Sequence, residues 1–155
     1  MAWKLGSLSL NLPFGLGGVT IDVTEAEASA AWALYVEYAT RISGTELERG
    51  LGSPREALSS LYSLFASTRE ILREAGPDIA QGVDPLGELA IRALNEGVRP
   101  FLVRWHTTVS ALEAAESELS GDEGARFDDE LAALRGDLAV YIQALGEIAG
   151  IRPRA

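Results

Sequence analysis

The stretch SLSLNLPFGLGGVTIDVTEAE, residues 7–27, switches from one hydrophobic period to another, and this switch decides the fold. Apolar and polar residues alternate on both sides of a glycine-rich break, and this period of two predicts a β-hairpin over residues 7–23. Gly6, where the alternation changes phase, is predicted to form a bulge. Thr24 and Glu27 then have the spacing of a capping box, in which each side chain bonds the other residue's amide. A helix is therefore predicted to begin directly after the hairpin.

Four amphipathic stretches follow the hairpin, and three of them open with a Ser/Thr-x-x-Glu box. The boxes begin at Thr24, Ser53 and Ser120, while Pro85 stands at the start of the remaining stretch, where its missing N–H costs nothing. Apolar spacings of three and four predict helices over 25–42, 54–75, 85–119 and 122–149. The short connections between them predict an all-α domain, an antiparallel four-helix bundle with the N-terminal hairpin, spanning residues 1–155 as a single unit.

The third predicted helix is long, and Pro100 lies near its middle. Proline lacks the N–H that would bond four residues back, and its ring crowds the carbonyl of Glu96. Gly97 adds flexibility at the same point. We therefore predict that the helix axis kinks between residues 96 and 100.

The hairpin and the first helix each have an apolar surface that must be buried. The hairpin's apolar face must lie on the helices or on another copy of the chain, because a two-stranded sheet is marginal in water. Its open edges are natural pairing surfaces, so we predict a homo-oligomer, at least a dimer. The first helix is expected to bury one stripe, made of Ala28, Trp32, Tyr35, Val36, Ala39 and Ile42.

Composition excludes several classes of function. The chain has no cysteine, so thiolate catalysis and thiolate metal sites are excluded. Its net charge of −10 acts against binding to DNA or anionic lipid. There is neither an apolar run long enough to span a membrane nor a signal-peptide pattern, so a cytoplasmic protein is expected. One lysine against twelve arginines is typical of a GC-rich bacterial genome.

Carboxylate motifs do not predict a metal site. Di-metal bundles need Glu three residues before His, but Val103 stands there relative to His106. Glu113 and Glu116 resemble the first half of the magnesium motif of helical nucleotide pyrophosphatases, but Ala133 stands where the second half needs an aspartate. We therefore predict no metal and no cofactor.

Arg99 and His106 are the candidate catalytic residues. Seven residues on a helix return nearly to the same bearing, so both project from one face, ~10 Å apart along the axis. On this pair the chain resembles the HEPN superfamily of helical ribonucleases, which carry an arginine and a histidine separated by four to six residues. The resemblance implies that two chains of a dimer bring their motifs together, the arginine holding the scissile phosphate and the histidine assisting the 2′-hydroxyl without metal. Pro100 departs from the polar residue that usually follows the arginine.

The structural interpretation of the same residues is simpler. Arg99 beside Glu96, and His106 beside Glu113, would form surface pairs at the edge of the bundle. The aromatic groups around Phe101 and Trp105, and those in the first two helices, would be core.

We therefore expect a non-enzymatic interaction or regulatory module that self-associates, binds a protein partner and belongs to a bacterial defence or signalling assembly. The alternative is a HEPN-like ribonuclease that uses Arg99 and His106 across a dimer, and RNA is expected as a partner only in that case. A third possibility is a small apolar ligand bound between helices near the Pro100 kink.

Overall fold

The computed structural model describes residues 4–43 and 53–151, so most of the predicted loop over 43–53 lies outside it. The protein is mostly helical, with an antiparallel hairpin at its N-terminal end. Strands β1 and β2 span Lys4–Leu12 and Gly17–Thr24. Helices α1 to α5 span Glu25–Tyr38, Pro54–Ala75, Leu86–Arg92, Arg99–Ala114 and Gly121–Ile148. Ala39–Ser43 and Ala93–Val98 are π-helical, and Pro77–Ala80 forms a 3-10 turn.

The hairpin forms as predicted, with Leu10 opposite Val19 and the register shifted at Gly6, which has a φ of 142°. Its inward residues are buried against α1 and α5 of the same chain. The outward face is polar, with Ser7 bonded to Asp22. Because the apolar face is covered within the chain, it cannot serve as the pairing face for a second copy. The predicted self-association stays a prediction.

All four predicted helix starts are confirmed to within one residue, but only one capping box forms. Thr24 Oγ1 accepts the N–H of Glu27 at 3.1 Å, and Glu27 Oε1 accepts the N–H of Thr24 at 3.2 Å. The boxes predicted at Ser53 and Ser120 are wrong, because neither side chain makes a cap bond. Their glutamates are exposed to water, whereas Glu27 is only 3% exposed.

Glu27 also joins two helices. Its second oxygen, Oε2, accepts the backbone N–H of Leu86 at 2.9 Å, at the start of α3. One carboxylate thus satisfies free amides at the N-termini of both α1 and α3, where the helix dipoles favour negative charge. This contact fixes the start of the third predicted helix against the first.

The third predicted helix is continuous but irregular: α3 runs into the π-helical turn Ala93–Val98, and α4 follows. The N–H of Arg99 bonds the carbonyl of Leu94, five residues back, just before Pro100. The disturbance lies where proline and Gly97 were expected to cause one. The bend of the axis itself stays a prediction.

α4 ends at Ala114, so the predicted end at residue 119 is wrong. Glu116 takes a φ of 53°, which lets the N–H of Ser117 bond the carbonyl of Leu112 at 2.8 Å. This is a Schellman stop built without glycine. The sequence offers no glycine signal at that point, and the apolar period continues past it.

The predicted buried stripe of α1 is wrong in two positions: Trp32 is 52% exposed and Val36 is 40% exposed. α1 instead packs against α2 and α5 through a different face, made of Ala30, Ala31, Leu34 and Tyr38. α1 is apolar on nearly all sides, so periodicity alone cannot select the buried side. The side chain of Ile42, the last predicted stripe residue, lies outside the described part.

α2 also packs against α4, and the two helices run in opposite directions. Arg55 at the start of α2 bonds Glu113 at the end of α4, with Nε and Oε1 2.8 Å apart. α4 in turn touches α5. None of the helices in the described ranges is long and apolar enough to cross a membrane.

Candidate functional site

Arg99 and His106 lie exposed on the side of α4 that borders α2. The Arg99 guanidinium stands over the ring of Phe65, 4.9 Å from its centroid. The His106 ring meets Tyr62 edge-on, with centroids 5.9 Å apart. The two residues therefore project along one face, next to aromatic side chains of α2.

The carboxylates expected to pair with these residues bond other arginines. Arg99 Nε donates to Asn95 Oδ1 at 3.2 Å, while Glu96 faces Arg92 at 3.3 Å. Glu113, expected beside His106, is held by an arginine of α2. The predicted surface pairs are therefore wrong. Neither Arg99 nor His106 bonds a carboxylate in the part of the chain that the structure describes.

This arrangement limits what one chain can do chemically. The two side chains start from positions ~10 Å apart along the helix axis, and each contacts a different aromatic ring of α2. No carboxylate among the described residues orients the imidazole of His106 as a general base.

Of the aromatic residues predicted to be core, Tyr62 is 43% exposed, whereas Phe101 and Trp105 belong to the core. Both are buried, and the Trp105 ring packs edge-on against Phe127 at 5.1 Å. Trp105 Nε1 donates to Glu130 Oε2 at 2.6 Å, and Arg104 pairs with the other oxygen of Glu130 at 2.8 Å. These contacts join α4 to α5.

A second surface is formed by Trp32, Tyr35 and Val36, which we call the outer face of α1. Trp32 stacks on Tyr35 with centroids 5.8 Å apart and planes 17° from parallel. Tyr35 covers Gly146 of α5, where an added Cβ would lie 3.3 Å from its ring. Sequence reasoning assigned these side chains to the core. The signal that was available is the run ASAAWALYV, residues 28–36, which contains no charge.

A third feature is a cleft of about 380 Å³ beside Pro100, between α4 and α5. The hairpin turn closes one end of it through Phe14. The cleft lies where a ligand was expected from the sequence, but its rim carries charged residues.

Within residues 4–43 and 53–151, no group of three or more His, Asp or Glu side chains is placed so that it could hold a metal ion. Glu113 and Glu116, which resemble half of a magnesium motif, do not share a helix face. Glu113 is bound by an arginine, and Glu116 lies beyond the end of α4. No family model, curated protein or solved structure matches this chain.

Proposed function

We propose that the protein is a non-enzymatic interaction module, an antiparallel four-helix bundle that self-associates through the outer face of α1. The observation that carries this proposal is the exposure of Trp32, at 52%, next to Tyr35 and Val36. Large aromatic side chains in a charge-free patch are typical of the centre of a protein interface. The opposite directions of α2 and α4 support the bundle arrangement.

The absence of charge on the outer face of α1 favours a second copy of the chain as its partner. Two molecules that each carry −10 repel one another, and the repulsion is least where the contact surfaces carry no charge. Residues 28–36 meet this condition. If the two-fold axis is perpendicular to α1, the helix lies antiparallel to its copy, and Glu25 at the start of one helix lies near Arg41, the partner of Glu37, beyond the end of the other.

The test is the oligomeric state of Trp32→Glu. We expect the wild type to form dimers at tens of micromolar, the range of an ordinary interface, and Trp32→Glu to be monomeric, because a carboxylate would be buried opposite its own copy. Val103→Glu is the control, since Val103 is also an exposed apolar residue, at 67%, and lies on α4. Sedimentation velocity measures both. A monomeric wild type, or equal dissociation of the two variants, would contradict the proposal.

A second candidate is the HEPN-like ribonuclease that uses Arg99 and His106 across a dimer. The observation that favours it is that both side chains are exposed along one face and not engaged by carboxylates among the described residues. Arg69 lies over the same Phe65 ring as Arg99, at 5.9 Å, which adds positive charge to this face. We rank this function second because it requires a dimer through α2 and α4, whose exposed residues are more polar than the outer face of α1.

A further inference from the structure

The cleft beside Pro100 has an apolar floor. Phe14 comes from the hairpin turn, Phe101 from α4 and Leu134 from α5, and the backbone of Gly97 completes one wall. Its volume of about 380 Å³ lies within the ~300–1,000 Å³ typical of small-molecule sites.

Phe14 reaches this position through an unusual backbone conformation. Its φ is 64°, in the left-handed region that non-glycine residues seldom adopt. The ring lies against Gly97, where an added Cβ would stand 2.5 Å from it, and meets Tyr141 edge-on at 6.4 Å. The π-helical turn Ala93–Val98 carries this glycine, and such turns are frequent at functional sites. Three uncommon features therefore meet at one cleft.

The charges around the floor are not balanced. Arg104 and Glu130 neutralise each other at 2.8 Å, and the other oxygen of Glu130 accepts a hydrogen bond from Trp105. Glu96 is likewise paired, with Arg92 at 3.3 Å, which leaves Asp137. Asp137 is exposed and bonds no cation in the described ranges.

We propose that this cleft binds an organic cation with an apolar body, such as a primary arylalkyl amine. The phenylalanine side chains cover the apolar part of the ligand, while Asp137 accepts a hydrogen bond from its ammonium group. The net charge of −10 draws cations to the molecule and repels anionic ligands. The small apolar ligand expected from the sequence is thereby replaced by a cationic one. This site is independent of the outer face of α1.

The experiment compares phenethylamine with 2-phenylethanol, a neutral molecule of nearly the same shape. Titration is followed by the NMR signal of the Trp105 indole N–H, whose acceptor Glu130 lines the cleft. We expect saturable binding of the amine and clearly weaker binding of the alcohol. Asp137→Asn should weaken amine binding about fivefold, the effect of losing one partly exposed ion pair.

Glu147→Gln is the control, because it removes the same charge from an exposed position of α5 outside the cleft lining. It should leave the affinity for the amine unchanged within twofold. Equal binding of amine and alcohol, no shift of the indole signal, or equal effects of the two variants would each overturn the proposal.

Discussion

Two buried tyrosines, Tyr38 and Tyr141, pack edge-on at 5.4 Å but differ in the state of their hydroxyl groups. Tyr38 shares a hydrogen bond of 3.1 Å with Thr68, which is fully buried on α2. The hydroxyl of Tyr141 has no hydrogen-bond partner among the described residues. A buried polar group stabilises a fold only when it is bonded, so the two hydroxyls have opposite effects on stability.

We therefore expect Tyr38→Phe to lower the free energy of unfolding by about 1–2 kcal/mol, because it leaves the Thr68 hydroxyl buried without its partner. Tyr141→Phe should cost nothing or stabilise by up to ~1 kcal/mol, because it removes an unbonded group. Urea denaturation of the two variants measures the difference. Equal losses in both would contradict this assignment.

Alkaline pH tests the same pair. Burial raises the pKa of Tyr38 to about 12, against the smaller opposing effect of its bond to Thr68. Burial, and then the neighbouring Tyr38, raise the pKa of Tyr141 well above its ordinary value. An unfolded tyrosine releases its proton at pH ~10, whereas the two buried tyrosines keep theirs to higher pH. The free energy of unfolding is therefore unaffected by these two groups below pH ~10, and it falls as the pH rises towards their pKa values in the folded protein. Tyr141→Phe should reduce the loss of unfolding free energy that is measured above pH ~10.

At the scale of elements, the hairpin is anchored to the long helical segment through its turn. The contact depends on a glycine in the π-helical turn Ala93–Val98, because a side chain there would occupy the space of the Phe14 ring. The close approach of the Phe14 ring to Gly97 thus joins the hairpin turn to the π-helical turn Ala93–Val98 beside the cleft.

Gly97→Ala should lower the free energy of unfolding by ~1–3 kcal/mol, since Phe14 must move to admit the methyl group. Gly136→Ala is the control, because Gly136 is helical and exposed, and a Cβ added there would meet no atom within 4 Å. That change should stabilise by up to ~1 kcal/mol through helix propensity. In the double variant Gly97→Ala/Phe14→Ala, the losses should be less than additive. Equal unfolding free energies for Gly97→Ala and Gly136→Ala would contradict the close contact between Phe14 and Gly97.

At the scale of the whole molecule, the net charge of −10 bears on the choice between the two functions. It offers RNA little electrostatic attraction, and binding of nucleic acid depends mainly on that attraction. We expect the purified wild type not to cleave single-stranded RNA even at low salt. We expect His106→Ala to cost at most ~1 kcal/mol of stability, as for an exposed residue. Metal-independent cleavage that is lost in both Arg99→Ala and His106→Ala would show that the protein is the ribonuclease.

The sequence by itself determined the elements whose signals are local. The hairpin, the bulge at Gly6 and the helix starts after Thr24 and Ser53 follow from residues a few positions apart. The signal that ends α5 is also local. Gly150 takes a φ of 84°, and the N–H of Ile151 bonds the carbonyl of Gly146 at 2.8 Å. The shared face of Arg99 and His106 follows from helix geometry alone.

Only the tertiary structure decided which side of α1 is buried, where α4 ends and which residues line the cleft. Trp32 is exposed because α2 and α5 pack on the opposite side of a helix that is apolar all round. Phe14 and Gly97 lie 83 positions apart in the chain, so no local pattern relates them. Propensity and capping act over one turn of the chain, whereas faces, clefts and ion pairs depend on distant segments packing together.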